Sequence, residues 1–144
     1  RQSISSWILY EKLNTKMPQP LAIDVEITPW KITSELGLSL QGIVSINLIH
    51  ISSWNCTRSL FKESGNLLGN GKYLMLYGPF KIGNEHLSQS NYVFDKSLKM
   101  QNNNWGVRDL DKVNDEAYNY GFVQKELILM PANNLSVIYR KLSV

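Results

Sequence analysis

The strongest constraint on the fold lies near the carboxyl end of the chain. There "FVQKELILM" and "LSVIYRKL", two runs rich in β-branched and apolar residues, are separated only by Pro131-Ala132-Asn133-Asn134. A parallel crossover needs a dozen or more residues, so a connection this short requires the two strands to pair antiparallel. Upstream, "GIVSINLIHISSW" (Gly42 to Trp54) opens as a near-continuous apolar run, the pattern of a strand buried on both faces. "KYLMLYGPF" is a second such run, halted at Gly78-Pro79. Helical patterns stand between these strands, so the chain is expected to fold as a layered α/β domain with a mixed sheet.

Ile4, Trp7, Ile8, Tyr10 and Leu13 recur at near-helical spacing, which predicts an amphipathic helix over residues 3–14, ended by Met17-Pro18-Gln19-Pro20. "PLAIDVE" reads as a short buried strand and "ITPWKI" as an exposed crossover loop. Ser52 or Ser53 is the expected N-cap of a helix with Trp54, Leu60, Phe61 and Leu67 or Leu68 packed, and Lys62 and Glu63 in water. "GNLLGNG" is expected to stop it. Residues 81–89 read as polar and irregular. A further helix is expected from about Ser90 to Met100, with Val93, Phe94 and Leu98 inward. Asp109 should cap the next helix, in which Leu110, Val113 and Ala117 share a face and Gly121 closes the end.

The chain has 144 residues, suited to one domain. Its 43% hydrophobic content and 19% charge argue against disorder. A net charge of +3, scattered along the chain, leaves no basic stripe, so no nucleic-acid partner is expected. No apolar run reaches the roughly 18 residues of a membrane span, and no secretion signal opens the chain. The single cysteine, Cys56, excludes an intrachain disulfide and any multi-cysteine zinc site. A cytoplasmic, reducing location is expected, with the sequons at Asn55 and Asn134 read as chance matches.

The sequence holds no P-loop, GxSxG elbow, HExxH or GxGxxG motif, and His50 and His86 have no partners at metal-ligand spacing. His50, at the end of a strand, suits either a structural histidine or a proton acceptor. Asp24 could accept a hydrogen bond from a ligand amine or cap the next turn. Trp105-Gly106-Val107-Arg108-Asp109 joins an aromatic, a flexible backbone and a fork donor. It suits recognition of a carboxylate or ring, or a surface capping pair.

The blocks "NLIHISSW", "LYGPFKIG", "SQSNYVFD", "NNNWGVRDLD" and "MPANNLSVIYRK" occur in an order that closely resembles a family of S-adenosylmethionine-dependent methyltransferase-like proteins of unknown function. That family includes the animal methyltransferase-like twenty-six proteins and bacterial relatives, and "PLAIDVEITPW" also fits it. The resemblance runs from about Ile4 to Lys141. It implies the Rossmann-like class I methyltransferase fold, with strand order 3-2-1-4-5-7-6 and an antiparallel last strand. It also implies that residues 1–144 are the carboxyl-terminal two-thirds of a single methyltransferase-like domain. The amino-terminal strands and their "GSGTG"-type cofactor loop would then be missing, and this chain alone would be inactive.

By the same resemblance, Asp24, Val25, Asn47, Leu48 and His50 are expected on the S-adenosylmethionine side. Tyr77, Gly78, Pro79, Ser90, Asn91, Trp105, Arg108, Asp109, Asn133 and Asn134 are expected to face the acceptor. His50 is the expected proton acceptor, oriented through Asn47. The activity implied is methyl transfer to a small molecule or a protein; the alternative is a non-catalytic cofactor-binding or scaffold protein. No metal and no membrane partner are expected.

Overall fold

The computed structural model describes residues 1–32 and 40–143. Helix α1 (Gln2–Tyr10) opens the chain. Strand β1 (Leu40–Ile46), a 3₁₀ turn (Ile49–Ile51), α2 (Trp54–Leu67) and β2 (Leu68–Gly78) form the first βαβ unit. β3 (Phe80–Ile82), β4 (Glu85–His86), α3 (Gln89–Gln101), β5 (Arg108–Asp109) and α4 (Leu110–Asn119) follow. β6 (Phe122–Met130), a 3₁₀ turn (Pro131–Asn133) and β7 (Asn134–Lys141) complete the described structure.

The main sheet has the order β1-β2-β7-β6. β1 and β2 run parallel, with Ile46 opposite Tyr77. β7 is antiparallel to both neighbours, placing Leu74 opposite Tyr139 and Leu127 opposite Val137. The terminal pair therefore forms as its short connection requires, and inserting β7 between β2 and β6 makes the sheet mixed. A second, smaller sheet, β4-β3-β5, occupies part of the stretch expected to be irregular. Lys81 pairs there with both His86 and Asp109.

The core lies where α2 and α4 cover the sheet. Leu60 and Phe61 from α2 and Val113 and Ala117 from α4 meet Leu74, Leu76, Phe122, Leu135, Val137 and Tyr139. Both caps are made as expected. The Ser53 hydroxyl accepts the Cys56 N–H, and the Asp109 carboxylate accepts the N–H groups of Asp111 and Lys112, satisfying helix-start donors that would otherwise lack partners.

Several expectations are corrected. "PLAIDVE" forms no strand, because among the described residues no neighbouring strand meets its backbone; Leu21 and Ile23 lie exposed and the chain turns at Val25–Glu26. β1 is not buried on both faces. Among the described residues it stands at the edge of the sheet, and Val44 and Ile46 are 61% and 62% exposed. α1 ends at Tyr10 rather than near residue 14 and buries only Ile8, leaving Ile4, Trp7 and Tyr10 in solvent.

Glu63 is buried rather than wet, since it accepts the Trp30 N–H at 3.0 Å and an Asn66 amide hydrogen at 3.3 Å. α2 does end within "GNLLGNG", at Leu67, but without a glycine turn: Gly65 lies in the last turn of the helix, Leu68 is extended, and Gly69 and Gly71 belong to β2. In α3, Asn91, Asp95 and Leu98 face inward, while Val93 and Phe94 do not.

Candidate functional site

At the carboxyl ends of β1 and β2 the backbone leaves the sheet in two adjacent places, which opens the crevice where α/β sheets bind ligands. Asn47 follows β1 in a left-handed conformation (φ 53°), and its N–H donates to the Tyr77 carbonyl at 2.8 Å. The next turn is 3₁₀ and carries His50. β2 ends at Gly78, and α3 and the β6–β7 turn close the other side. The resulting cavity is about 420 Å³, lined by Asn47, His50, Pro79, Ser90, Asn91 and Asn134, with Phe94 and Ala132. That is within the usual size range of small-molecule sites.

His50 is 4% exposed. Burial, and secondarily the Arg108 guanidinium, hold its pKa below the ordinary 6.5, so the imidazole is neutral at neutral pH. Its ring lies edge-on to Phe94 at 5.7 Å. Among the described residues that ring makes no hydrogen bond, so Asn47 does not orient it in that way. The main chain fixes it instead: the His50 carbonyl accepts the Gly106 N–H at 2.9 Å.

Across the cavity, the Asn91 amide donates to the Asn133 carbonyl at 3.0 Å, and the Asn134 amide donates to the Tyr77 hydroxyl at 3.3 Å. These bonds tie α3 and β2 to the β6–β7 turn. Ser88 caps α3 through the Asn91 N–H, and its hydroxyl is 2.9 Å from that of Ser90.

Gly78 belongs to the same arrangement. A Cβ at this position would lie 3.3 Å from the His50 ring and 3.4 Å from the Asn47 Oδ1. Gly78→Ala is therefore expected to cost about 1–2 kcal/mol through overpacking against a buried ring. A urea unfolding midpoint unchanged from the parent protein would show that the site has slack there.

The structure thus brings together Asn47, His50, Tyr77, Gly78, Pro79, Ser90, Asn91, Asn133 and Asn134. Leu48 sits at the start of the 3₁₀ turn and packs against the core. Asp24 and Val25 are not brought to this cavity. Asp24 accepts the Glu26 N–H at 3.0 Å and lines a separate depression with Ile27 and Trp30. Val25 packs on the core and its carbonyl accepts the Trp30 indole N–H.

Trp105, Arg108 and Asp109 line a second cleft, also separate from the cavity. Arg108 donates to the carbonyls of Ile49 (2.9 Å), Ser52 (2.6 Å) and Asn104 (2.8 Å), so it clamps the turn that carries His50. Asp109 is buried as a helix cap and also accepts the Asn84 N–H at 2.6 Å. Phe94 is the cavity residue that sequence reasoning misplaced in the core. Its spacing from Ser90 and Asn91, four and three residues on, puts all three on one helix face and could have signalled it.

A family model matches residues 1–141, nearly the whole chain. It describes a protein of unknown function (DUF938). The chain belongs to this family.

The fold of this DUF938 chain is similar to that of an O-methyltransferase family protein from Burkholderia thailandensis, with a TM-score of 0.79 and 10% identity, over 99% of this chain and 41% of that one. It is also similar to the mitomycin 7-O-methyltransferase MmcR, with a TM-score of 0.77 and 11% identity, over 95% of this chain and 38% of that one. For human N-acetylserotonin methyltransferase, solved with S-adenosylmethionine, the TM-score is 0.66 at 11% identity, over 91% and 38%. The DUF938 chain therefore has a Rossmann-like methyltransferase fold with an antiparallel last strand, and it spans about two-fifths of the length of these structures. Among the described residues no group of three or more side chains could hold a metal ion, and no helix is long and apolar enough to cross a membrane.

Proposed function

We propose that the protein carrying this chain is an S-adenosylmethionine-dependent methyltransferase acting on a small molecule or a protein, related to the methyltransferase-like twenty-six proteins. The supporting observation is the cavity at the carboxyl ends of β1 and β2, on a fold whose solved neighbours include methyltransferases. The donor set fits one wall of a cofactor site. Asn47 presents an exposed amide at the strand end, and Leu48 offers apolar surface beside it. These two would hold the cofactor on this chain's side; Asp24 and Val25 lie elsewhere and take no part in this reading.

When bound, S-adenosylmethionine supplies an electrophilic methyl group on a sulfonium sulfur. Transfer is an in-line displacement, so positioning and exclusion of water supply most of the rate. His50, buried and neutral, takes the proton from the acceptor's nucleophile, and Asn91 and Asn134 hold the acceptor's polar groups. Phe94 shields the imidazole from water.

Calorimetry on the protein expressed from its complete reading frame tests the reading. S-adenosylmethionine and its demethylated product are both expected to bind, and absence of binding would overturn the assignment in favour of a scaffold. Binding without turnover of any metabolite in a broad panel would instead indicate a non-catalytic cofactor-binding protein. His50→Ala is expected to lower kcat about 10²- to 10⁴-fold, the usual contribution of a general base. Normal turnover in that variant would remove His50 from the role.

A further inference from the structure

The second cleft, of about 380 Å³, opens between β3, the end of α3 and the start of α4. Gly106 lines it and His50 lines the first cavity. The main-chain hydrogen bond between those two residues stands between the two spaces.

Its chemistry differs from that of the first. Lys81, Lys99, Arg108 and Lys112 converge on it, together with the rings of Trp54 and Trp105. The acids at hand do not balance these cations. Asp95 is buried and engaged with Lys99 at 2.6 Å, and Asp109, whose oxygens accept backbone N–H groups, adds one further negative charge against the four cations. Arg108 directs its donors to three carbonyls, which satisfy hydrogen bonds without compensating charge. Among the described residues neither Arg108, Lys81 nor Lys112 forms an ion pair. Lys81 has only a long contact, 3.5 Å, with the neutral Asn84 amide.

Four cationic side chains against the two carboxylates of Asp95 and Asp109 leave an excess of positive charge in one concave spot, which gathers positive potential there. Flat apolar surface lies beside that charge. The Trp54 ring is already stacked under Arg108 at 5.7 Å, and Trp105 is half-buried at the opening. Cations beside aromatic faces are complementary to a ligand with an acidic group on a planar ring.

We propose that this cleft binds a small aromatic anion, a planar ring bearing a carboxylate or a phosphate. Charge fixes the acidic end through Lys81 and Lys112, and the ring stacks against Trp105. None of the residues that line it lines the first cavity.

Trp54 and Trp105 make the cleft its own reporter. The protein expressed from its complete reading frame is titrated with benzoate and with phenyl phosphate while indole fluorescence is followed. Benzamide and inorganic phosphate serve as the neutral ring and the ringless anion. At least one aromatic anion is expected to saturate the signal, more tightly than both controls, and to weaken as salt rises. The better of the two arms identifies the acidic group.

Lys81→Ala combined with Lys112→Ala, two surface changes that leave the fold intact by thermal melting, should weaken that ligand about tenfold or more, as expected for losing charged hydrogen-bond donors. No saturation by either aromatic anion would overturn the proposal. Equal binding of benzamide or of inorganic phosphate, or unchanged affinity in the folded double variant, would do the same.

Discussion

Asp95→Ala is expected to lower the unfolding free energy by about 3 kcal/mol, within the range seen when one partner of a buried ionic group is removed. Asp95 is 3% exposed and holds three elements at once. Its Oδ1 accepts the buried Val107 N–H at 2.7 Å, and its Oδ2 lies 2.6 Å from the Lys99 Nζ and 3.3 Å from the His86 Nε2. Truncation strands the Val107 donor in the interior, and a buried N–H without a partner costs about 1–3 kcal/mol.

The loop even makes room for the carboxylate. Gly106, at φ +152°, would place a Cβ only 2.8 Å from the Asp95 Oδ1. Burial alone would raise the pKa of Asp95, but the Lys99 and Val107 hydrogen bonds outweigh it and set the group below its ordinary 3.8. Between the two values the unfolded chain binds more protons than the folded one. The charge-dependent part of the Asp95 contribution is therefore complete above the unfolded value and is lost as pH falls through the folded one.

Urea titrations of parent and Asp95→Ala protein should differ by the full amount near pH 7 and by less in strong acid, where the neutral carboxyl still accepts the Val107 N–H. Asp95→Asn keeps an acceptor for Val107 but loses the charge, so it should fall between them. A constant gap from pH 7 to the acid limit would refute the electrostatic part of this account.

Phe61→Ala is expected to cost about 3–5 kcal/mol, the range for removing a fully buried aromatic ring. Phe61 is fully buried, edge-on to Tyr139 at 5.4 Å and tilted against Phe122 at 6.0 Å. These rings join α2 to β7 and β6, so the vacated volume is bounded by strands that cannot collapse inward without breaking their ladders. Burial also pushes the Tyr139 phenol well above its usual pKa, and its hydroxyl donates to Asn114 at 2.8 Å, so that ring cannot swing into the gap cheaply. Phe61→Leu, which fills most of the space, should lose less than half as much. If both variants unfold at the same urea concentration, cavity formation is not the controlling effect.

Much of the sheet is legible in the residues. A connection of a few residues dictated the antiparallel final pair, and Ser53 and Asp109 announced their helices because each has helix-start donors within reach of a short oxygen side chain. What stayed hidden was burial that depends on partners far along the chain. Glu63 reads as a wet carboxylate until Trp30, from a distant loop, offers its N–H. Asp95 is likewise a carboxylate whose burial depends on Val107, twelve residues on, and on Lys99. Apolar periodicity places Val93 and Phe94 inside, yet the polar side of α3 is the buried one because those polar groups are satisfied there.

The candidate site divides along the same line. Asn47, His50, Ser90, Asn91 and Asn134 stand next to turns and strand ends, where sheets of this class open. Arg108 carries the signature of a ligand-binding fork, and only the three-dimensional path of residues 49–52 shows that carbonyls have claimed it.

The exposed flank of β1 carries a further consequence. "LQGIVSI" contains no charged residue and no proline, the usual guards of a free sheet edge, and it combines β-branched side chains with low polarity. Among the described residues β1 has one strand neighbour, β2, so its outer side is where a further extended segment would add. Addition there would lengthen the sheet by main-chain hydrogen bonds alone and leave the core packed beneath α2 and α4 untouched.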